Sequence, residues 1–70
     1  RINAKAPLFD RRDALAAYEQ QGHKCAVCGE VFEFDQMQAD HIKPWSKGGR
    51  TVAENCQMLC KADNLKKGAM

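Results

Sequence analysis

The chain has no apolar run near the roughly 18 residues that a membrane-crossing helix needs, which excludes that class. It also lacks the basic start, apolar block and small-residue cleavage site of a secretory signal. There is no internal repeat, low-complexity tract or Ser/Pro-rich linker, so nothing in it marks a boundary between units. Strong charge of either sign is missing too. Eleven Lys and Arg against nine Asp and Glu leave +2, too little to argue a nucleic-acid partner by itself. Length is the last shortage. Seventy residues allow one thin domain, and folding at that size buries only about 60% of the unfolded surface, so a metal or disulfide usually supports the core. The chain opens at Arg1 and not at Met, which reads as a piece of a larger protein with neighbouring domains.

What is present is more telling. Hydrophobic residues make up 44%, yet the mean hydropathy is −0.59, as expected of a soluble domain with charged faces. Residues 1–40 hold five basic and seven acidic side chains; residues 41–70 hold six and two. That asymmetry puts a mildly basic surface on the C-terminal half, as a polyanionic ligand would favour. The four cysteines, Cys25, Cys28, Cys56 and Cys60, suit two disulfides, a metal site or simple packing as small buried hydrophobes. Cys25 and Cys28 stand in C-x-x-C-G, a knuckle spacing that lets two thiolates reach one tetrahedral ion. Without a secretory signal, reduced thiols, zinc and an intracellular, cytoplasmic setting are the favoured reading.

Residues 1–9 read as an extended lead-in, with Pro7 biasing Ala6 away from helix, and residues 10–70 as the domain. Asp10 is a good helix N-cap, with Asp13 three positions on. Residues 11–21 are rich in helix formers, place Ala14, Leu15, Ala17 and Tyr18 on one side, and stop at Gly22. The metal knuckle follows over residues 23–29. Alternating charged and aromatic or branched residues predict a short strand over 30–34. A turn at Asp35 and Gln36 leads to a strand over 37–42, ended by Pro44. Residues 43–50, with Pro, Ser and the Gly48-Gly49 pair, predict an ordered loop. Cys56 to Cys60 fits a returning strand, and residues 63–70 begin a helix. The fold class is a small α+β unit.

The stretch that carries chemistry runs from Asp40 and His41 through the Gly-Gly loop to Asn55 and Asn64. A carboxylate sits beside an imidazole at a strand end, and two amides arrive later. Hydrolysing a phosphodiester needs a base to activate water and a cation to neutralise charge on the phosphorane oxygens. An imidazole suits the first task near neutral pH. Carboxylate and amide oxygens suit the second, because hard oxygen donors hold Mg²⁺ while leaving positions for water and phosphate.

The pattern D-H-I-x-P-x-S-x-G-G, then Asn before an apolar strand, then L-C and N-x-x-K-G, resembles the HNH endonucleases, the ββα-metal nucleases. The upstream C-x-x-C-G and the helix before it resemble the zinc-bearing branch of that family. The likeness covers roughly residues 9–69, and several separated motifs agree in order and spacing. It implies a small ββα-metal domain with an N-terminal helix and a zinc knuckle. It further implies a metal-dependent endonuclease that hydrolyses DNA and leaves 3′-hydroxyl and 5′-phosphate ends. By the same resemblance His41 is the general base, and Asp40 and Asn64 hold one catalytic divalent ion, Mg²⁺ or Mn²⁺, with Ni²⁺ or Zn²⁺ as in-vitro substitutes. Asn55 braces the loop and orients the histidine. Lys67 matches a basic position near the cut phosphate. Lys43, Lys47, Arg50, Lys61 and Lys66 are solvated surface individually, and as a set they offer non-specific, salt-sensitive affinity for DNA. Trp45 packs the loop or stacks near DNA, packing being the simpler reading.

One position departs from the branch. Its second ligand pair is C-x-x-C before the final Asn or His, whereas this chain has Cys60-Lys61-Ala62-Asp63. The expected structural zinc ligands are therefore Cys25, Cys28, Cys60 and Asp63. Cys56 is the rival fourth ligand and His23 a further candidate. The competing function is a zinc-knuckle module that binds nucleic acid or protein without cutting, or a silent domain of a larger enzyme. Either way, a unit with so few base-reading candidates is nearly sequence-blind by itself.

Overall fold

A computed structural model of the protein describes residues 7–68. Most of the expected lead-in, residues 1–6, and the last two residues of the expected final helix lie outside them. The order is helix α1 (Arg11–Gln20), the cysteine knuckle, strand β1 (Met37–His41), a long loop, strand β2 (Cys56–Cys60) and helix α2 (Lys61–Gly68). The α+β expectation holds. β1 and β2 form a two-stranded antiparallel sheet, with Met37 opposite Cys60 and His41 opposite Cys56.

Each element follows from local chemistry. Asp10 caps α1, its carboxylate accepting the Asp13 backbone N–H at 3.0 Å, which satisfies one of the helix's orphan donors. The helix buries Ala14, Ala17 and Tyr18, and small alanines let it lie close on the sheet. Leu15 is only half-buried. The chain then turns through positive φ at Gly22 (65°) and His23 (68°). His23, unusual there as a non-glycine, stacks on Tyr18 with centroids 4.2 Å apart. Gln21 closes the outer edge of β2: its Oε1 accepts the Met58 N–H at 2.9 Å, and its Nε2 donates to the Met58 carbonyl at 3.0 Å. An amide side chain thus stands in for a third strand and satisfies an edge that would otherwise seek a partner.

The strand expected over residues 30–34 does not form. Val31 makes one bridge to Lys24 and is exposed, and Phe34–Gln36 is a 3₁₀ turn. The aromatics that suggested a strand pack sideways instead. Phe34 meets Tyr18 edge-on at 5.4 Å and carries the Arg11 guanidinium over its ring at 5.1 Å. Helix α2 begins two residues earlier than expected, directly after β2. The core joins Ala14, Ala17, Tyr18, Met37, Met58 and Leu59 with three cysteine side chains, Cys25, Cys56 and Cys60.

Candidate active site and metal centre

The knuckle is a tight hairpin. The Cys25 N–H donates to the Glu30 carbonyl at 2.9 Å, the Gly29 N–H returns to the Cys25 carbonyl at 3.0 Å, and Gly29 takes φ 77°. β2 brings Cys60 to this hairpin, and the first turn of α2 brings Asp63. The sulfurs of Cys25, Cys28 and Cys60 and a carboxylate oxygen of Asp63 all lie within 4.8 Å of one another. Asp63 Oδ2 accepts from the thiols of Cys25 and Cys60, each at 3.3 Å. The Val27 and Cys60 N–H groups donate to Cys25 Sγ, each at 3.4 Å. Burial raises the Cys25 thiol's pKa, but backbone N–H bonds from Cys28, Cys60 and Val27 outweigh it and hold the group below its ordinary value. Thiol hydrogen bonds from Cys25, Cys60 and Cys28 hold Asp63 low as well. Three sulfurs and one carboxylate at this spacing fit a tetrahedral zinc, and the N–H donors to sulfur are the outer support such sites use.

The two rival ligands lie elsewhere. Cys56 is buried in the core opposite His41, where burial foremost pushes its thiol up to about 11. His23 Nε2 faces Glu19 Oε1 at 3.2 Å.

The second cluster forms at the C-terminal end of β1. Successive strand residues point to opposite faces, so Asp40 and His41 leave the strand on different sides. On the Asp40 side lies α2. Asp40 Oδ2 accepts from Gln57 Nε2 at 3.1 Å and is ion-paired with Lys67, whose ammonium also reaches the His41 carbonyl at 3.3 Å. Asn64, one helical turn before Lys67, donates its Nδ2 to Gln38 Oε1, which leaves its Oδ1 without a partner among the described residues. Two hard oxygen donors therefore share one face, and a cation already rests on one of them. That set fits a divalent ion.

On the other side, the His41 ring is buried against Phe9, with centroids 4.5 Å apart, and Trp45 sits at 6.2 Å with its own side chain partly exposed. The ring's Nε2 is 2.9 Å from Thr51 Oγ1. Asn55 braces the loop: Oδ1 accepts the Lys43 N–H at 2.8 Å, and Nδ2 donates to the carbonyls of Lys43 (3.1 Å) and Arg50 (2.8 Å). Lys43, Lys47 and Arg50 are exposed along this loop, and Lys66 is exposed on α2.

A family model for HNH endonucleases matches residues 25–70, which takes in the knuckle, both strands and α2. The chain belongs to the HNH endonuclease family. Searches of curated proteins and of solved structures return no match. Membership brings a nuclease-type function and dependence on metal. No described helix of this HNH domain is long and apolar enough to cross a membrane. Three side chains in the HNH site escape the sequence reading: Thr51 on His41, Gln57 on Asp40 and Gln38 beside Asn64. Gln57 follows from β-register once the strands are paired, since it lies opposite Asp40, whereas Gln38 meets Asn64 only through the way α2 crosses the sheet. Thr51 carries no local signal, because only loop closure brings it to the histidine.

Proposed function

We propose that this domain hydrolyses phosphodiester bonds of DNA, with His41 as general base and one divalent ion, Mg²⁺ or Mn²⁺, held by Asp40 and Asn64. The observation that carries this reading is the placement of consecutive Asp40 and His41 on opposite sides of the end of β1. In-line displacement at phosphorus divides its work the same way, since water attacks from one side and the 3′-oxygen departs from the other. When bound, the ion supplies Lewis-acid stabilisation of the charge on the phosphoryl and departing oxygens. His41 takes the proton of the attacking water. Asn55 holds the loop that carries the imidazole's surroundings, and Lys43, Lys47, Arg50, Lys66 and Lys67 contact phosphates without reading bases. Cys25, Cys28, Cys60 and Asp63 hold a structural zinc in a reducing, cytoplasmic compartment. Target choice falls to neighbouring domains of a larger protein.

The test is relaxation of supercoiled plasmid by the zinc-loaded domain and by His41→Ala, in Mg²⁺ or Mn²⁺, with a chelator control. Metal-dependent nicking that is lost in His41→Ala is the expected result. A mutant that nicks at the wild-type rate removes His41 from the mechanism, and folded wild-type protein that binds DNA without cutting it favours the binding-module reading.

A further inference from the structure

The two ring nitrogens of His41 meet different surroundings. Nε2 faces Thr51 Oγ1 at 2.9 Å. Among the described residues no group pairs with Nδ1, and none of their buried side-chain nitrogens or oxygens lacks a partner. Nδ1 therefore keeps some contact with solvent, on a residue only 8% accessible overall. A neutral imidazole carries one hydrogen, and the bond made by one nitrogen decides what the other can do. If Thr51 donated to Nε2, the hydrogen would sit on Nδ1, and the solvent-facing nitrogen would have no lone pair for a proton.

The loop fixes where Thr51 stands. Asn55 Nδ2 holds the carbonyl of Arg50, the residue immediately before it, at 2.8 Å, while the same amide holds Lys43 at the loop's other end. The clamp that closes the loop thereby sets a hydroxyl across from the histidine. The Phe9 ring at 4.5 Å limits where the imidazole can swing.

We infer that Thr51 is a positioning residue: Oγ1 accepts the Nε2–H of His41 and keeps the neutral ring in the tautomer whose Nδ1 lone pair faces water. This rests on the reading of His41 as the base. In the step it serves, a proton passes from water to Nδ1 and the water oxygen's lone pair forms a bond to phosphorus. The P–O3′ bond breaks, and the 3′-oxygen leaves with its electron pair and takes a proton from solvent. The ring becomes an imidazolium with a hydrogen on each nitrogen. The Nε2–H bond to Thr51 survives that change and strengthens, because its donor has become charged. No group needs to move as the charge appears.

The experiment is a long-range proton–nitrogen NMR spectrum of ¹⁵N-labelled, zinc-loaded protein at a pH where the ring is neutral. It is paired with plasmid cleavage and DNA-binding measurements on Thr51→Val and Thr51→Ser. Wild type should show a protonated Nε2 and a bare Nδ1. Thr51→Val, of nearly the same shape, should lose that preference and cleave at least about tenfold more slowly at saturating DNA, with DNA affinity unchanged. Thr51→Ser should restore both. A wild-type ring protonated on Nδ1 overturns the inference even if the valine variant fails to fold. So does a Thr51→Val protein that keeps both tautomer and rate. If His41→Ala still cleaves, the base assignment fails while the tautomer result stands on its own.

Discussion

Gly48 and Gly49 adjoin in sequence but answer different constraints. Gly48 takes φ 89°, a left-handed conformation with open space around its α-carbon, so Gly48→Ala should cost about 1–2 kcal/mol through backbone strain alone. A Cβ on Gly49 would lie 1.8 Å from the Lys43 carbonyl oxygen and 2.6 Å from its carbon. Both are backbone atoms that cannot swing away. Gly49→Ala should therefore force the loop apart, cost at least about 2 kcal/mol and displace Thr51 from His41. Denaturant melts of the two variants check this, and equal midpoints would mean the loop closes some other way. Asp63 and Cys56 make the second contrast at this scale. Asp63→Ala should lower bound zinc well below one per chain, whereas Cys56→Ala should leave it unchanged and reduce stability only as a lost buried side chain does. Zinc analysis of both purified variants decides which residue completes the site.

At the scale of elements, α2 matters because it lies along β1 with Asn64 against Gln38 and Lys67 against Asp40. One turn of helix thereby matches the i, i+2 spacing of a strand face. The ammonium of Lys67 occupies the carboxylate a divalent ion would use, so the two cations compete. A partly exposed ion pair is worth up to about 1 kcal/mol, so Lys67→Met should tighten Mn²⁺ binding by up to about fivefold. Electron paramagnetic resonance titration of Mn²⁺ measures this without DNA. Unchanged affinity would mean that Lys67 leaves Asp40 at no cost. How much could be read beforehand also divides by element. α1, β1 and β2 were legible because caps, a Gly stop and apolar strands act locally. The false strand over residues 30–34 alternated correctly, but it only folds back on the knuckle, through the Cys25 N–H to Glu30 carbonyl and Phe32 N–H to His23 carbonyl bonds and one Lys24–Val31 bridge. The pairing of Asn64 with Gln38 required knowing how α2 crosses the sheet. Sequence named Asn64 and left its neighbour invisible.

For the whole molecule, the small core raises the question of what holds the domain closed. Among the described residues only Met58 and Leu59 have large side chains almost fully removed from water, and each contributes on the order of 1.5–3 kcal/mol. The cysteine cluster ties the knuckle to the end of β2 and the first turn of α2, closing over the 31 residues between Cys28 and Cys60. A cross-link around a loop of this length removes roughly 3–4 kcal/mol of unfolded-state entropy, and a zinc ion held there by the folded form would add its own binding free energy to folding. For a domain of this size each kcal/mol shifts Tm by roughly 4–8 °C. Stripping the metal with a zinc chelator should therefore lower Tm by at least roughly 12 °C, measured by circular dichroism. Adding back Zn²⁺ should restore it, and millimolar Mg²⁺ should not, since a hard cation prefers oxygen to thiolate. Asp40→Asn should leave the zinc-dependent shift intact, because its carboxylate belongs to the other cluster. A domain whose Tm ignored the chelator would be held by its core alone. Recovery in Mg²⁺ would mean that the ion stabilising the fold sits on the Asp40 face, and the division between a structural and a catalytic metal would fall.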